Sequence, residues 1–168
     1  MRRPEWFERT FRFGFAPGML PFFLERLEGT IARLQKKLQD QEDPLLSYQP
    51  GGKWSIKQHI GHLAEVDEIA LKRIDEMVNG ISPMTPAVFE PRGNYNEQSL
   101  DHVLEYFIKN RKANLHRYKM LTEADCTRTS MHPRLKLMMN PVDLAYFDAE
   151  HDDHHLVRIR EIQEAFSH

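Results

Sequence analysis

Apolar residues recur at three- and four-residue spacing over four long stretches of this chain, and strict alternation appears only in short fragments. In the first stretch Phe23, Leu24, Leu27, Ile31, Leu34 and Leu38 predict a helix from about Leu20 to Gln41. Pro21 falls in its first turn, where a missing N–H has no partner to lose, and Asp43-Pro44 stops it. The second opens on Ser55 with Gln58 three residues on, a capping box. It carries Ile56, Ile60, Leu63, Val66, Ala70, Ile74 and Val78 inward and ends at Asn79-Gly80. Ser99 caps a third helix running to about Leu121, with Val103, Phe107 and Leu115 on its buried side. Asn140-Pro141-Val142-Asp143 starts the fourth, which runs to about Phe166: a capping side chain, a proline at the first position and a carboxylate near the positive helix end.

Between these stretches the pattern breaks. Residues 1–16 are aromatic and basic and read as a lead-in that caps one end of the core. Residues 81–97 hold Pro83, Pro86, Pro91 and Gly93, a connector long enough to cross the end of a bundle or line a site. Residues 122–140 read as loop with one short turn. The chain therefore predicts an all-α four-helix bundle, a single domain over 1–168, with a long connector between the second and third helices.

Composition narrows the function classes. At 40% hydrophobic and 29% charged, with a formal net charge of −2, the chain is an ordinary globular one. Its basic and acidic residues are interleaved, so no nucleic-acid footprint is expected. No apolar run is long enough to span a bilayer, and the first residues do not read as a signal peptide. The single cysteine, Cys126, rules out an intrachain disulfide and fits a reducing cytoplasm; it has no neighbouring motif and reads as inert.

Nine histidines change the picture, because five of them fall in two short clusters. His151 and His155 lie one turn apart on the apolar stripe of the fourth helix, offset by about 40°, so both imidazoles can converge on one cation. One more donor from a neighbouring helix would complete a three-histidine site. The second helix offers His59, inside its stripe, and His62, on the edge; periodicity nominates His59 without deciding between them. His154 lies off the stripe and reads as a rim residue. Asp148, one turn before His151 on the same face, reads as a base, as a group orienting a ligand imidazole, or as half of a salt bridge. Asp67 sits on an apolar face, where a carboxylate needs a partner. Asp152 and Asp153 are expected to face solvent, Trp54 and Tyr95 to pack, and His102, His116, His132 and His168 to be ordinary, although the loop holding His132 can approach the site.

Two segments carry a family resemblance. Gly52-Lys53-Trp54-Ser55 through His59-Ile60-Gly61-His62-Leu63, and His132-Pro133-Arg134 followed by Asp143-Leu144 and Ala149-Glu150-His151-Asp152-Asp153-His154-His155-Leu156, resemble the two signatures of the DinB-like superfamily. The resemblance covers residues 20–165; a glycine usual after the His-Pro step is replaced here by Arg134-Leu135-Lys136. It implies an up-down-down-up bundle, often a homodimer, holding a divalent metal ion through His62, His151 and His155. It also implies a metal-dependent enzyme, either a transferase using a low-molecular-weight thiol or a hydrolase, acting on a small electrophile. Imidazole donors suit zinc, nickel, iron or copper alike. For zinc, three protein ligands and an open position are the catalytic arrangement, lowering the pKa of bound water towards about 7. A reading of a different class is a non-catalytic, stress-associated bundle in which the metal braces two helices.

Overall fold

The computed structural model describes residues 2–166, so His168 lies outside the described residues. Four long helices are present: α1 (Leu20–Leu38), α3 (Ile56–Val78), α4 (Leu100–Lys119) and α5 (Pro141–Phe166), with a one-turn α2 (Asp43–Leu46) between the first two. The caps predicted from the sequence are made. Ser55 Oγ accepts from Gln58 N at 3.1 Å while Gln58 Oε1 accepts from Ser55 N at 2.9 Å. Asn140 and Asp143 cap α5 reciprocally, at 2.8 and 3.0 Å. Asp43-Pro44 does not stop α1, which ends at Leu38 ahead of a positive φ of 59° at Asp40. Pro44 instead opens α2, in the first-turn position where proline is best tolerated.

Side-chain pairings fix the direction of each helix. Glu68 and Asp75 of α3 meet Asn110 and Arg117 of α4, so those helices run parallel. Phe23, Thr30 and Lys37 of α1 meet Tyr146, Asp152 and Gln163 of α5, again in parallel. His59 and His62 meet His155 and His151 in turn, so α3 and α5 run antiparallel. The result is the up-down-down-up bundle, and its parallel α3–α4 pair is what requires the long connector. No described helix is long and apolar enough to cross a membrane.

The segment before α1 does not cap an end of the core. It runs antiparallel along α5: Asp143 accepts from the backbone of Gly14 and Phe15 at 2.8 and 2.9 Å, Arg9 pairs with Glu150, and Arg3 meets Glu161 at 2.6 Å. Trp6 is thereby laid on Phe147, ring centroids 5.1 Å apart. Residues 122–140 contain a small antiparallel hairpin, β1 (Ser130–Met131) on β2 (Met138–Met139), too short to show a period in the sequence.

The apolar core divides into two clusters, one around Leu27, Ile74, Leu115 and Leu144, the other around Leu34, Ile60, Phe107 and Ile159. Between them each long helix contributes a polar residue to one layer: Thr30, Asp67, Arg111 and Asp152. Arg111 Nε donates to Asp67 at 2.9 Å, its terminal nitrogens donate to Asp152 at 2.5 and 2.9 Å, and Nη1 also reaches Leu27 O at 2.8 Å. Asn114 donates to Asp67, and Thr30 to Asp152. Asp152 is thus buried, not solvent-facing, because α5 packs on both α1 and α3 and its inward face is wider than one stripe. Asp153 stays half-exposed, held by Arg26 and Arg33.

Candidate metal centre

Beside that layer α3 and α5 bring their histidines together. One ring nitrogen from each of His62, His151 and His155 lies within 4.8 Å of the others. The Nε2 atoms of His151 and His155 are 3.0 Å apart. His59, the residue periodicity favoured, does face inward, but its Nδ1 lies 2.7 Å from Nδ1 of His155, on the far side of that ring. It holds His155 in orientation and leaves Nε2 free to face the other two, the way an outer hydrogen-bond partner fixes a ligand imidazole. His154 sits at the rim, 5.7 Å from the ring of Trp6.

Electrostatics favour lone pairs over protons here. Burial pushes His62 down to about 4 and His59 to about 3, and holds His151 and His155 well below the ordinary histidine range. Neutral imidazole is the form that ligates a cation.

The donor set fits a divalent ion. Nitrogens about 2.0–2.1 Å from zinc stand roughly 3–3.5 Å apart, a spacing the present cluster meets at the His151–His155 edge, with all three donor atoms within 4.8 Å. Nδ1 of His62 and Nδ1 of His151 are buried without a hydrogen-bond partner among the described residues. Orphaned buried polar atoms are rare and costly, and three neutral imidazoles, two of them with an unmatched nitrogen, are a donor set that a bound cation would suit.

These histidines form one wall of a cavity of about 850 Å³, within the range of small-molecule sites. Trp54 packs as expected, its ring 4.8 Å from His62 and parallel to His155 at 6.0 Å, and it also lines the cavity. Trp6 stands edge-on to His151 at 4.9 Å. Asp148 lines the same cavity. It makes no ion pair or hydrogen bond among the described residues, and its Oδ2 is a buried atom without a partner. Burial and the nearby Asp67 push its carboxyl well above the usual range. Neither the salt bridge nor the hydrogen bond to a ligand imidazole is therefore made.

The connector is seated on the helix that carries His62. A Cβ built on Gly61 would lie 2.3 Å from the ring of Tyr95, so only glycine lets this ring approach. Tyr95 is buried as expected, its hydroxyl donating to Glu65 at 2.5 Å. Cys126 is buried, with its thiol pushed up by burial, in keeping with an inert role. Two further cavity residues are Arg73, which the sequence reading missed, and His132, whose loop it read as able to approach the site. Arg73 lies near the end of α3, and His132, read as ordinary, is buried just after the β1 strand. The position of His132 in a loop beside the His-Pro step was the one available signal.

Residues 26–159 match the sequence profile of the DinB superfamily. No curated protein matches the chain. Among solved structures the chain is similar to YfiT from Bacillus subtilis, described as "a probable metal-dependent hydrolase with an unusual four-helix bundle topology". The TM-score is 0.81 at 16% identity, covering 95% of this chain and 94% of that one, a likeness of fold.

Proposed function

The chain belongs to the DinB superfamily, and from that premise we propose that it is a divalent-metal-dependent enzyme whose ion is held by His62, His151 and His155. The observation that carries this reading is the convergence of three neutral imidazoles, two of them with an unmatched nitrogen, on the wall of a cavity large enough for a small molecule. When bound, the ion would lower the pKa of a water or low-molecular-weight thiol in an open position, supplying a nucleophile at neutral pH against a small electrophile.

The residues of the chain do the rest. His59 keeps the His155 ring turned inward. Trp6 and Trp54 wall the histidines on two sides and keep bulk water off them. Asp148, whose carboxyl is raised by burial and by Asp67, lines the cavity one turn before His151, where it is placed to exchange a proton with a bound molecule.

A panel of activated esters and halogenated aromatic electrophiles, each assayed with and without a small thiol, tests the proposal. Turnover should require metal and vanish in the double variant His151→Ala, His155→Ala. Dependence on thiol selects the transferase, and turnover without thiol the hydrolase. Stoichiometric metal with no turnover of any substrate would favour the non-catalytic bundle instead.

A further inference from the structure

The cavity does not end at the histidines. Arg73 lies 11 residues beyond His62 on the same face of α3, about 16 Å along the helix. The residue is buried, with a relative exposure of 5%. Nε donates to Thr85 O at 2.9 Å, which fixes the plane of the guanidinium, while Nη2 is buried with no partner. Among the described residues no carboxylate lies within ion-pairing distance of it. Of the two carboxylates that act most on its charge, Asp148 lies across the cavity without an ion pair to it, and Glu76 is engaged by the backbone and hydroxyl of Thr85.

The remaining donor, Nη1, faces Nε2 of His132 at 3.5 Å. That contact is not a hydrogen bond, because the tautomer of His132 is fixed from the other side. Nδ1 of His132 accepts from the backbone N–H of Leu135 at 3.1 Å and of Arg134 at 3.3 Å, so the ring proton must be on Nε2. Burial and the two arginines hold His132 down at about 4, so the ring carries only that one proton at neutral pH. Donor thus faces donor. The N–H groups of Arg73 and His132 converge on the cavity wall with no acceptor among them, around a buried positive charge that no carboxylate among the described residues pairs with directly. Such an arrangement is costly unless an acceptor of opposite charge fills it. Arg134, its guanidinium 5.0 Å from the Phe7 ring, adds a second cation, with no carboxylate among the described residues within ion-pairing distance. Val66 and Phe147 add apolar lining to the same cavity, with the Asp148 carboxyl beside them.

We infer that the Arg73–His132 end of the cavity binds an oxyanion, a carboxylate or phosphate-class group, on the small molecule whose apolar body reaches towards His62, His151 and His155. The inference rests on the proposed function for what happens at the histidine end, and on Arg73 and His132 alone for the recognition.

Calorimetric titration of the metal-stripped full chain with benzoate, phenyl phosphate and the neutral benzamide separates the two ideas. At least one anion should bind about tenfold or more tightly than benzamide, the difference expected of a charged hydrogen bond. The tighter of the two names the head group. Arg73→Met should lose that preference, Arg73→Lys should recover part of it, and His132→Phe should weaken it. Because the titrated protein is metal-stripped, the anion preference should appear whether or not the histidines hold an ion. Equal binding of benzamide and both anions by the wild type would overturn the inference, as would full anion affinity in a folded Arg73→Met. If Arg73→Met does not fold, the wild-type comparison and His132→Phe decide. Neither result bears on whether the histidines hold an ion.

Discussion

Two buried polar clusters share this bundle, and they are built on opposite rules. Around Arg111, nearly every donor and acceptor is matched: two carboxylates, a backbone carbonyl, an asparagine and a threonine close the shell. Around the cavity the polar atoms go unmatched, at His62, His151, Asp148 and Arg73. A satisfied cluster ties four helices together and has nothing left to offer a ligand. An unsatisfied one costs stability, and the fold tolerates it only where something else completes it.

The largest effect should come from the matched cluster. Arg111→Met leaves Asp67 and Asp152 buried without their counter-charge and should cost about 3–5 kcal/mol in denaturant unfolding, if the chain folds at all. Gly61→Ala, which drives a methyl into Tyr95, should cost about 1–3 kcal/mol and loosen the connector. A smaller effect follows from pH. His59, His62, His132, His154, His151 and His155 are all depressed by burial, so the unfolded chain binds more protons once pH drops below about 6.5. The metal-free protein should therefore lose stability as pH falls from about 6.5 towards 4, offset in part by Asp67 and Asp148, whose burial raises their carboxyls. Melting temperatures across that range of pH check the sign. Smallest of all, Asp148→Asn should change stability by less than about 1 kcal/mol, because no ion pair is lost, while lowering turnover. A large destabilisation would mean that Asp148 belongs with the structural cluster after all.

The same contrast explains what could be read from the chain. Period and caps gave four helices with their starts at Ser55, Ser99 and Asn140, because those signals are local. The pair His151 and His155 was legible for the same reason. His62 over His59 was not, since both face the bundle interior and only the seating of α3 against α5 decides which ring lies behind the other. The resemblance supplied that choice. Asp152 was misplaced because its partner, Arg111, is 41 residues away on another helix. Arg73 left no signal for a like reason, since its meeting with His132, 59 residues on, depends on how the loop is seated, although that loop was read as one able to approach the site. Contacts remote in sequence leave no period to find.

The central claim is that the unmatched imidazoles are completed by an ion. Elemental analysis of protein purified without a histidine tag, beside the double variant His151→Ala, His155→Ala, tests it most directly. A single divalent ion per wild-type chain, absent from the folded variant, is the result expected. Wild-type protein that takes up no zinc, nickel or iron when each is supplied, or a variant that retains its metal in full, would contradict it.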